Sequence, residues 1–329
     1  MMQDRIGDSF VNIDALEAAA KIYAPCNVTV FASKITKELF DSYAFADRVI
    51  EFHGAETELP EVPAFDAVFN YRYDAASLEL LRRMKCETAY GYEQIELPEA
   101  VCKEVFTKYL PLSMWDDVKF RRYTSVTEQG AALIRLVDPD YHCDAVSLAE
   151  NTLYVDFSRI GRADGTVLLV PGASYKEKDW GVDNFLRLAA DLKKGGKNPL
   201  FLLGPQEVGP YLKPVEDAGF PAKANLPLTD IAALALAGKY HGLAVGNDTG
   251  VMHLNRACGC SSVTICFADT HLTWAPYGRD RHTVNHAACA GYESCRDCRE
   301  RKCGREFTYE RVYGAVQRSF PGGAAPTGK

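Results

Sequence analysis

The stretch Leu243-Ala244-Val245-Gly246-Asn247-Asp248-Thr249-Gly250-Val251-Met252-His253 decides the fold class. Leu243–Val245 is a short apolar run of the kind that fills a buried strand. A turn of small and polar residues follows, and a helical pattern runs from Val251 to Cys258. Small residues at such a turn let backbone N–H groups approach a ligand, and the new helix adds the positive end of its dipole. The plain alternative is a helix N-cap by Asp248 or Thr249. The Asp-Thr-Gly of an aspartic protease is a third reading, but it needs an all-β setting, and the surroundings here are α/β.

Working outward, the same alternation repeats. Val167–Val170, Pro199–Leu203 and Val263–Phe267 read as buried strands. Asn184–Lys194, Glu207–Ala218 and Asp230–Ala237 read as helices between them. In the first half, Val28–Phe31, Arg48–Phe52 and Ala67–Tyr71 read as strands, and Phe10–Tyr23, Ala75–Lys85 and Thr124–Leu136 as helices. Strands alternating with helices imply parallel sheets built from βαβ units. Strands with little polar alternation imply sheets covered on both faces. The fold class is therefore α/β. At 329 residues the chain is long enough for two such domains. The break falls at Ser158–Thr166, which is polar and holds two glycines. This gives a domain over 1–160, a second over 161–306, and a C-terminal helix, Tyr309–Arg318, with a flexible tail over 307–329.

Composition narrows the function classes. Apolar residues are 47% and charged residues 25%, an ordinary globular balance. No apolar run approaches the ~20 residues of a membrane span. Met1–Phe10 has no apolar signal core, so a cytoplasmic location is expected, with at most peripheral contact at the inner membrane. The net charge of −7 is unevenly spread. Residues 1–160 carry 16 Lys/Arg and 27 Asp/Glu, a balance of −11, and residues 161–329 carry +4. An acidic half is a poor nucleic-acid surface, and the basic half suits an anionic ligand such as a nucleotide diphosphate.

Three further strand ends carry candidate chemistry. Val170-Pro171-Gly172-Ala173-Ser174 is followed by Lys176, Lys178 and Trp180. In an open α/β sheet ligands bind off the carboxyl ends of strands. An ammonium there can neutralise a leaving phosphate, although a solvated loop is the plain alternative. Leu203-Gly204-Pro205-Gln206-Glu207 places an acidic residue where ribose or base hydrogen bonds are accepted, or simply at a helix N-terminus. Arg5-Ile6-Gly7-Asp8 offers a tight turn and a carboxylate that either caps a helix or acts as a base.

In this order the motifs resemble the lipopolysaccharide heptosyltransferase family of inverting glycosyltransferases. Gly7-Asp8, then Ser174, Lys178 and Trp180, then Gly204 and Glu207, then Asp248-Thr249-Gly250 with His253 carry the resemblance. Trp274-Ala275-Pro276-Tyr277-Gly278 extends it. It is most specific over Val167–Gly278. The resemblance implies a GT-B type fold, two Rossmann-like domains whose parallel sheets face a central cleft. It implies a heptose moved from ADP-heptose to a saccharide acceptor of lipopolysaccharide core, the acceptor being a free or lipid-linked saccharide. It implies Asp8 as general base and Lys178 as stabiliser of the departing diphosphate. Thr249 and Gly250 would hold the phosphates with help from Ser174, Glu207 the ribose or adenine, and Asp248 the sugar hydroxyls. His253 would touch phosphate or brace its helix. No cofactor is required for catalysis. Two other readings share these residues: a related enzyme with another nucleotide sugar or a protein acceptor, and a silent homologue that binds glycan or nucleotide.

Two features stand apart from the family pattern. Only Met1–Ile6 precede Gly7, so either the start is truncated or the first strand is very short. Inner-core acceptors are anionic, so the acidic half requires Arg72, Arg82, Arg83, Arg121 and Arg122 to form a local basic patch. Late in the chain, Cys289, Cys295, Cys298 and Cys303 include a Cys-x2-Cys pair with the spacing of a zinc or iron knuckle; reduced structural thiols and a disulfide are the other readings.

Overall fold

A computed structural model describes residues 1–2, 5–59, 61, 64–93, 98–111, 126–142, 165–174, 176–237, 242–266, 281–285 and 307–320. The chain divides into two compact units: Met1–Val146 with Asn151–Tyr154, and Ser147–Glu150 with Val155–Lys329. The division falls a few residues before the polar stretch at Ser158–Thr166.

The first unit has β1 (Thr29–Ala32) paired parallel with β2 (Arg48–Glu51), and β3 (Phe65–Phe69), β4 (Cys86–Tyr92) and β5 (Lys108–Leu110) paired parallel in that order. Met1 and Met2 join the two sets. Met2 N donates to Phe31 O at 2.9 Å, and Met1 O accepts from Tyr71 N at 3.0 Å. Two buried residues thus stand in the place of a central strand. Counting them as the first strand, the spatial order is third, second, first, fourth, fifth, sixth, the doubly wound order of dinucleotide-binding folds. Helices α1 (Ile6–Phe10) and α2 (Ile13–Ile22) follow the short central strand. Beyond them come α3 (Lys34–Phe40), α4 (Ala75–Arg83), α5 (Glu99–Val105) and α6 (Val126–Ile134). Sequence periodicity expects one helix over Phe10–Tyr23; α2 falls within it, and α1 precedes it as a separate helix. The chain breaks at Val11–Asn12, where Asn12 Nδ2 donates back to Asp8 O at 3.0 Å.

The second unit holds one six-stranded sheet. Its strands are β6 (Thr166–Val170), β7 (Asn198–Leu203), β8 (Ala222–Ala224), β9 (Leu243–Asn247), β10 (Ser261–Cys266) and β11 (Arg281–Asn285). The order is β11-β10-β9-β6-β7-β8, all parallel, so the same winding recurs. Helices α7 (Val182–Lys194), α8 (Lys213–Asp217), α9 (Leu228–Ala237) and α10 (Gly250–Ala257) connect the strands. On α7, Phe185, Leu188, Ala189 and Leu192 recur at helical spacing and are all buried. They pack with Val167, Leu169, Phe201, Val245 and Ile265 of the sheet. Helix α11 (Tyr309–Arg318) closes the same core through Val312, Ala315 and Val316, so it belongs to this unit. Gly246 lies where β9 passes β6: a Cβ there would meet Val170 O at 2.5 Å and Met252 Sδ at 2.9 Å. Among the described residues no helix is long and apolar enough to cross a membrane.

Candidate functional site

The sheet of the second unit reverses its direction of winding between β6 and β9, and ligands of such sheets bind in the crevice outside that point. Three candidate groups converge there. Lys178, from the loop after β6, places Nζ 2.9 Å from Asp248 Oδ2, one residue beyond β9. His253, one turn into α10, places Nε2 3.5 Å from Asp248 Oδ1. The side chains of Lys178 and Asp248 are 12% and 4% exposed, so the charges are largely withdrawn from water. Burial by itself pushes the Asp248 carboxyl up; the hydrogen bond and charge of His253, and then Lys178, outweigh it and hold the group below the ordinary carboxylate value.

Thr249 is the N-cap of α10 by position, with an extended backbone, but its side chain caps nothing. Its Oγ1 and His253 Nδ1 are buried and have no hydrogen-bond partner among the described residues. Buried polar groups are normally satisfied, and these two lie together at the turn that opens α10. The plain capping reading of this turn therefore fails for both Asp248 and Thr249. Gly250 opens α10, so the first N–H groups of that helix lie at this turn.

Glu207 arrives from the next strand. It is half-buried, and its carboxylate lies across two glycines: a Cβ on Gly172 would sit 3.1 Å from its Oε1, and one on Gly204 would sit 2.6 Å from its Oε2. Burial and then the charge of Asp179 raise its pKa above the ordinary value. The chain after Glu207 is not the continuous helix that periodicity suggests. It makes a π-helical turn, Val208–Leu212, before α8, and such turns gather at functional sites. That turn brings Tyr211 Oη within 2.5 Å of Asp179 Oδ2, one residue from Lys178. Ser174 is exposed on the loop after β6.

In the first unit, Asp8 lies in the first turn of α1, whose N-cap position is Arg5 and not Asp8. It follows the Met1–Met2 strand, again at the carboxyl edge and at the point where winding reverses. The expected basic patch does not form among the described arginines. Arg72 is buried, pairs with Asp74 Oδ2 at 2.7 Å, donates to Met2 O at 3.3 Å and stacks on Phe52. Arg82 and Arg83 are in the last turn of α4, at the opposite edge of the sheet, where Arg82 pairs with Glu79 and Glu104 and Arg83 bonds to Ala55 O. Arg121 and Arg122 lie outside the described residues, as do Trp274–Gly278 and the four cysteines 289, 295, 298 and 303. Among the described residues no group of three or more His, Cys, Asp or Glu is arranged to hold a metal ion.

Sequence reading missed Asn247, Asp179 and Tyr211. Asn247 carries a signal only in standing next to Asp-Thr-Gly. The other two become visible through contacts spanning 32 residues of chain.

Two doubly wound sheets, the second with a cation and a carboxylate meeting beside the start of a helix at its switch point, place a candidate ligand crevice there. The model of glycosyltransferase family 9 (heptosyltransferase) matches residues 115–306, more than half of the chain, and the chain belongs to that family. It is a glycosyltransferase with the GT-B fold. Among solved structures, Escherichia coli ADP-heptose LPS heptosyltransferase II aligns with a TM-score of 0.72 at 15% identity, over 97% of this chain and 96% of that one. E. coli heptosyltransferase WaaC with ADP aligns at 0.72 and 14%, over 97% and 98%. The iron-containing dodecameric glycosyltransferase TibC from enterotoxigenic E. coli H10407 aligns at 0.53 and 14%, over 96% of this chain and 76% of that one. At these identities the likeness concerns fold. No curated protein sequence matches the chain.

Proposed function

We propose that this glycosyltransferase transfers a heptose, with inversion, from ADP-heptose to a hydroxyl of a lipopolysaccharide-core saccharide on the cytoplasmic side of the membrane. The observation that carries the reading is the meeting of Lys178, Asp248, Thr249 and His253 at the switch point of the second sheet, with two buried polar atoms left unsatisfied. Lys178 and the N-terminus of α10 supply positive charge to the diphosphate as it departs. Thr249 Oγ1 donates to a phosphate oxygen, with Ser174 at the rim. Asp248 accepts from heptose hydroxyls, and Glu207 from the ribose. A carboxylate with a raised pKa remains a good acceptor for such neutral donors. Asp8 takes the proton of the acceptor hydroxyl as the new bond forms. The use of ADP has a parallel in WaaC, whose structures hold ADP and a fluorinated ADP-heptose.

The test is a transfer assay with ADP-heptose, UDP-glucose and GDP-mannose against truncated lipopolysaccharide cores, read by mass spectrometry of the product. Heptose transfer from the ADP donor alone supports the reading. Transfer from another donor, or ADP binding with no transfer to any saccharide, overturns it.

A further inference from the structure

Asn247 is wholly buried at the end of β9, immediately before Asp248. Its two amide ends are both used, on two distant points of one loop. Nδ2 donates to Pro171 O at 2.7 Å, and Oδ1 accepts from Trp180 N at 3.2 Å. Pro171 follows β6 directly and Trp180 stands just before α7, so these are the two feet of the loop that carries Ser174 and Lys178. Inside the loop, Gly181 N donates to Asp179 Oδ1 at 2.8 Å, and the Trp180 indole donates to Phe307 O at 3.1 Å. Tyr211 Oη also donates to Asp179 Oδ2, so the loop foot near Lys178 is fixed by Asn247, Phe307 and Tyr211, and the foot near Ser174 by Asn247.

Only a planar amide of this length serves both feet. A carboxylate has no donor for Pro171 O, and a serine hydroxyl is too short to span the two. A lysine surrenders considerable rotamer freedom when its ammonium is held at one point, and a loop already fixed at both ends limits that loss to the side chain.

We infer that Asn247 is a positioning residue: its amide ties the β6–α7 loop at both feet so that the Lys178 ammonium is presented to the donor diphosphate. The inference rests on the donor reading above. Asn247 touches no substrate in this scheme and acts through Lys178.

The experiment is calorimetric binding of ADP and of adenosine to the full-length parent, Asn247→Asp, Lys178→Ala and the double variant. Adenosine lacks the phosphates and reports the rest of the site. Weakening one charge-assisted contact predicts a loss of ADP affinity of about tenfold in Asn247→Asp, with adenosine affinity within about twofold of the parent. Adding Lys178→Ala to Asn247→Asp then costs little more, because residues acting through one contact are non-additive. Equal losses for ADP and adenosine, or fully additive single effects, overturn the inference while leaving the donor reading intact. A parent that does not bind ADP overturns the donor reading, and this inference with it. Asn247→Ser repeats the cycle if the aspartate variant does not fold. If neither folds, Asn247 is a core residue alone and the positioning role is refuted.

Discussion

Replacing Lys178 by Met removes the ammonium and keeps most of the side-chain volume. The lost contact is an ion pair of 2.9 Å between groups 12% and 4% exposed. Removing one partner of a buried pair costs roughly 3–5 kcal/mol, because the other charge is left in a poor solvent. Asp248 keeps His253 at 3.5 Å, so the low end applies, about 3 kcal/mol. For a unit of this size each kcal/mol moves the melting temperature by about 2–4 °C, giving a fall of roughly 6–12 °C in the transition of the second unit. Scanning calorimetry without ligand at pH 7 measures it. Acid provides an internal check. The Asp248 carboxyl is depressed in the folded protein, so its stabilisation is present above the unfolded carboxyl value and is lost as pH falls through the lower folded value. The gap between parent and Lys178→Met must therefore close as the solution is acidified below about pH 4. Adding Asp248→Asn to Lys178→Met removes the orphaned charge and must recover part of the loss. A Lys178→Met protein that melts with the parent at pH 7, or a double variant that loses more than the single one, refutes the account of this pair.

Other expectations follow from the same geometry. Asp8→Asn keeps the shape of α1 and removes the base, so turnover with ADP-heptose falls on the order of 10²–10⁴-fold while ADP affinity holds; full activity in that variant would reduce Asp8 to a helix residue. Gly246→Ala forces a Cβ to within 2.5 Å of Val170 O, and chemical denaturation should show a loss of about 2–3 kcal/mol or failure to fold; parental stability would mean β6 and β9 can part without cost. Glu207 has a raised folded pKa, so as pH rises through the ordinary value toward the folded one its burial progressively destabilises the protein. Glu207→Gln should therefore melt higher than the parent at neutral pH yet bind adenosine more weakly; a variant that melts lower, or binds equally well, contradicts the placement of that carboxylate.

The sequence announces most of this architecture where an element buries a whole face. Tyr309–Arg318 is read to the residue, because Val312, Ala315 and Val316 give it a clear apolar stripe between a Thr308 cap and Ser319. Four of the six strands of the second sheet, β6, β7, β9 and β10, are found to within a residue or two because both faces are covered, whereas β8 and β11 are missed. Strand β4 is missed because Glu87, Thr88 and Gly91 interrupt its apolar run, and β8 because three half-buried residues leave no period to detect. The two-residue central strand leaves no period either, and is recognised only by its bonds to Phe31 and Tyr71. Within the candidate site, residue types in the Asp-Thr-Gly and Lys178 motifs suffice to nominate positions. They do not show that Lys178 and Asp248 meet, nor that Asn247 holds the loop between them. Those facts depend on backbone geometry some 70 residues apart in the chain.

The bond from the Trp180 indole to Phe307 O spans 127 residues of sequence. Translation proceeds at about 5–20 residues per second, so roughly 6–25 s pass between synthesis of the loop and synthesis of the carbonyl that receives its tryptophan. For that interval the sheet can assemble strand by strand, but the lysine loop waits for the last helix. The loop that carries Lys178 is thus held at its tryptophan only once Phe307 has been made, and a ribosome stalled short of Phe307 would carry that loop without the carbonyl that receives the indole.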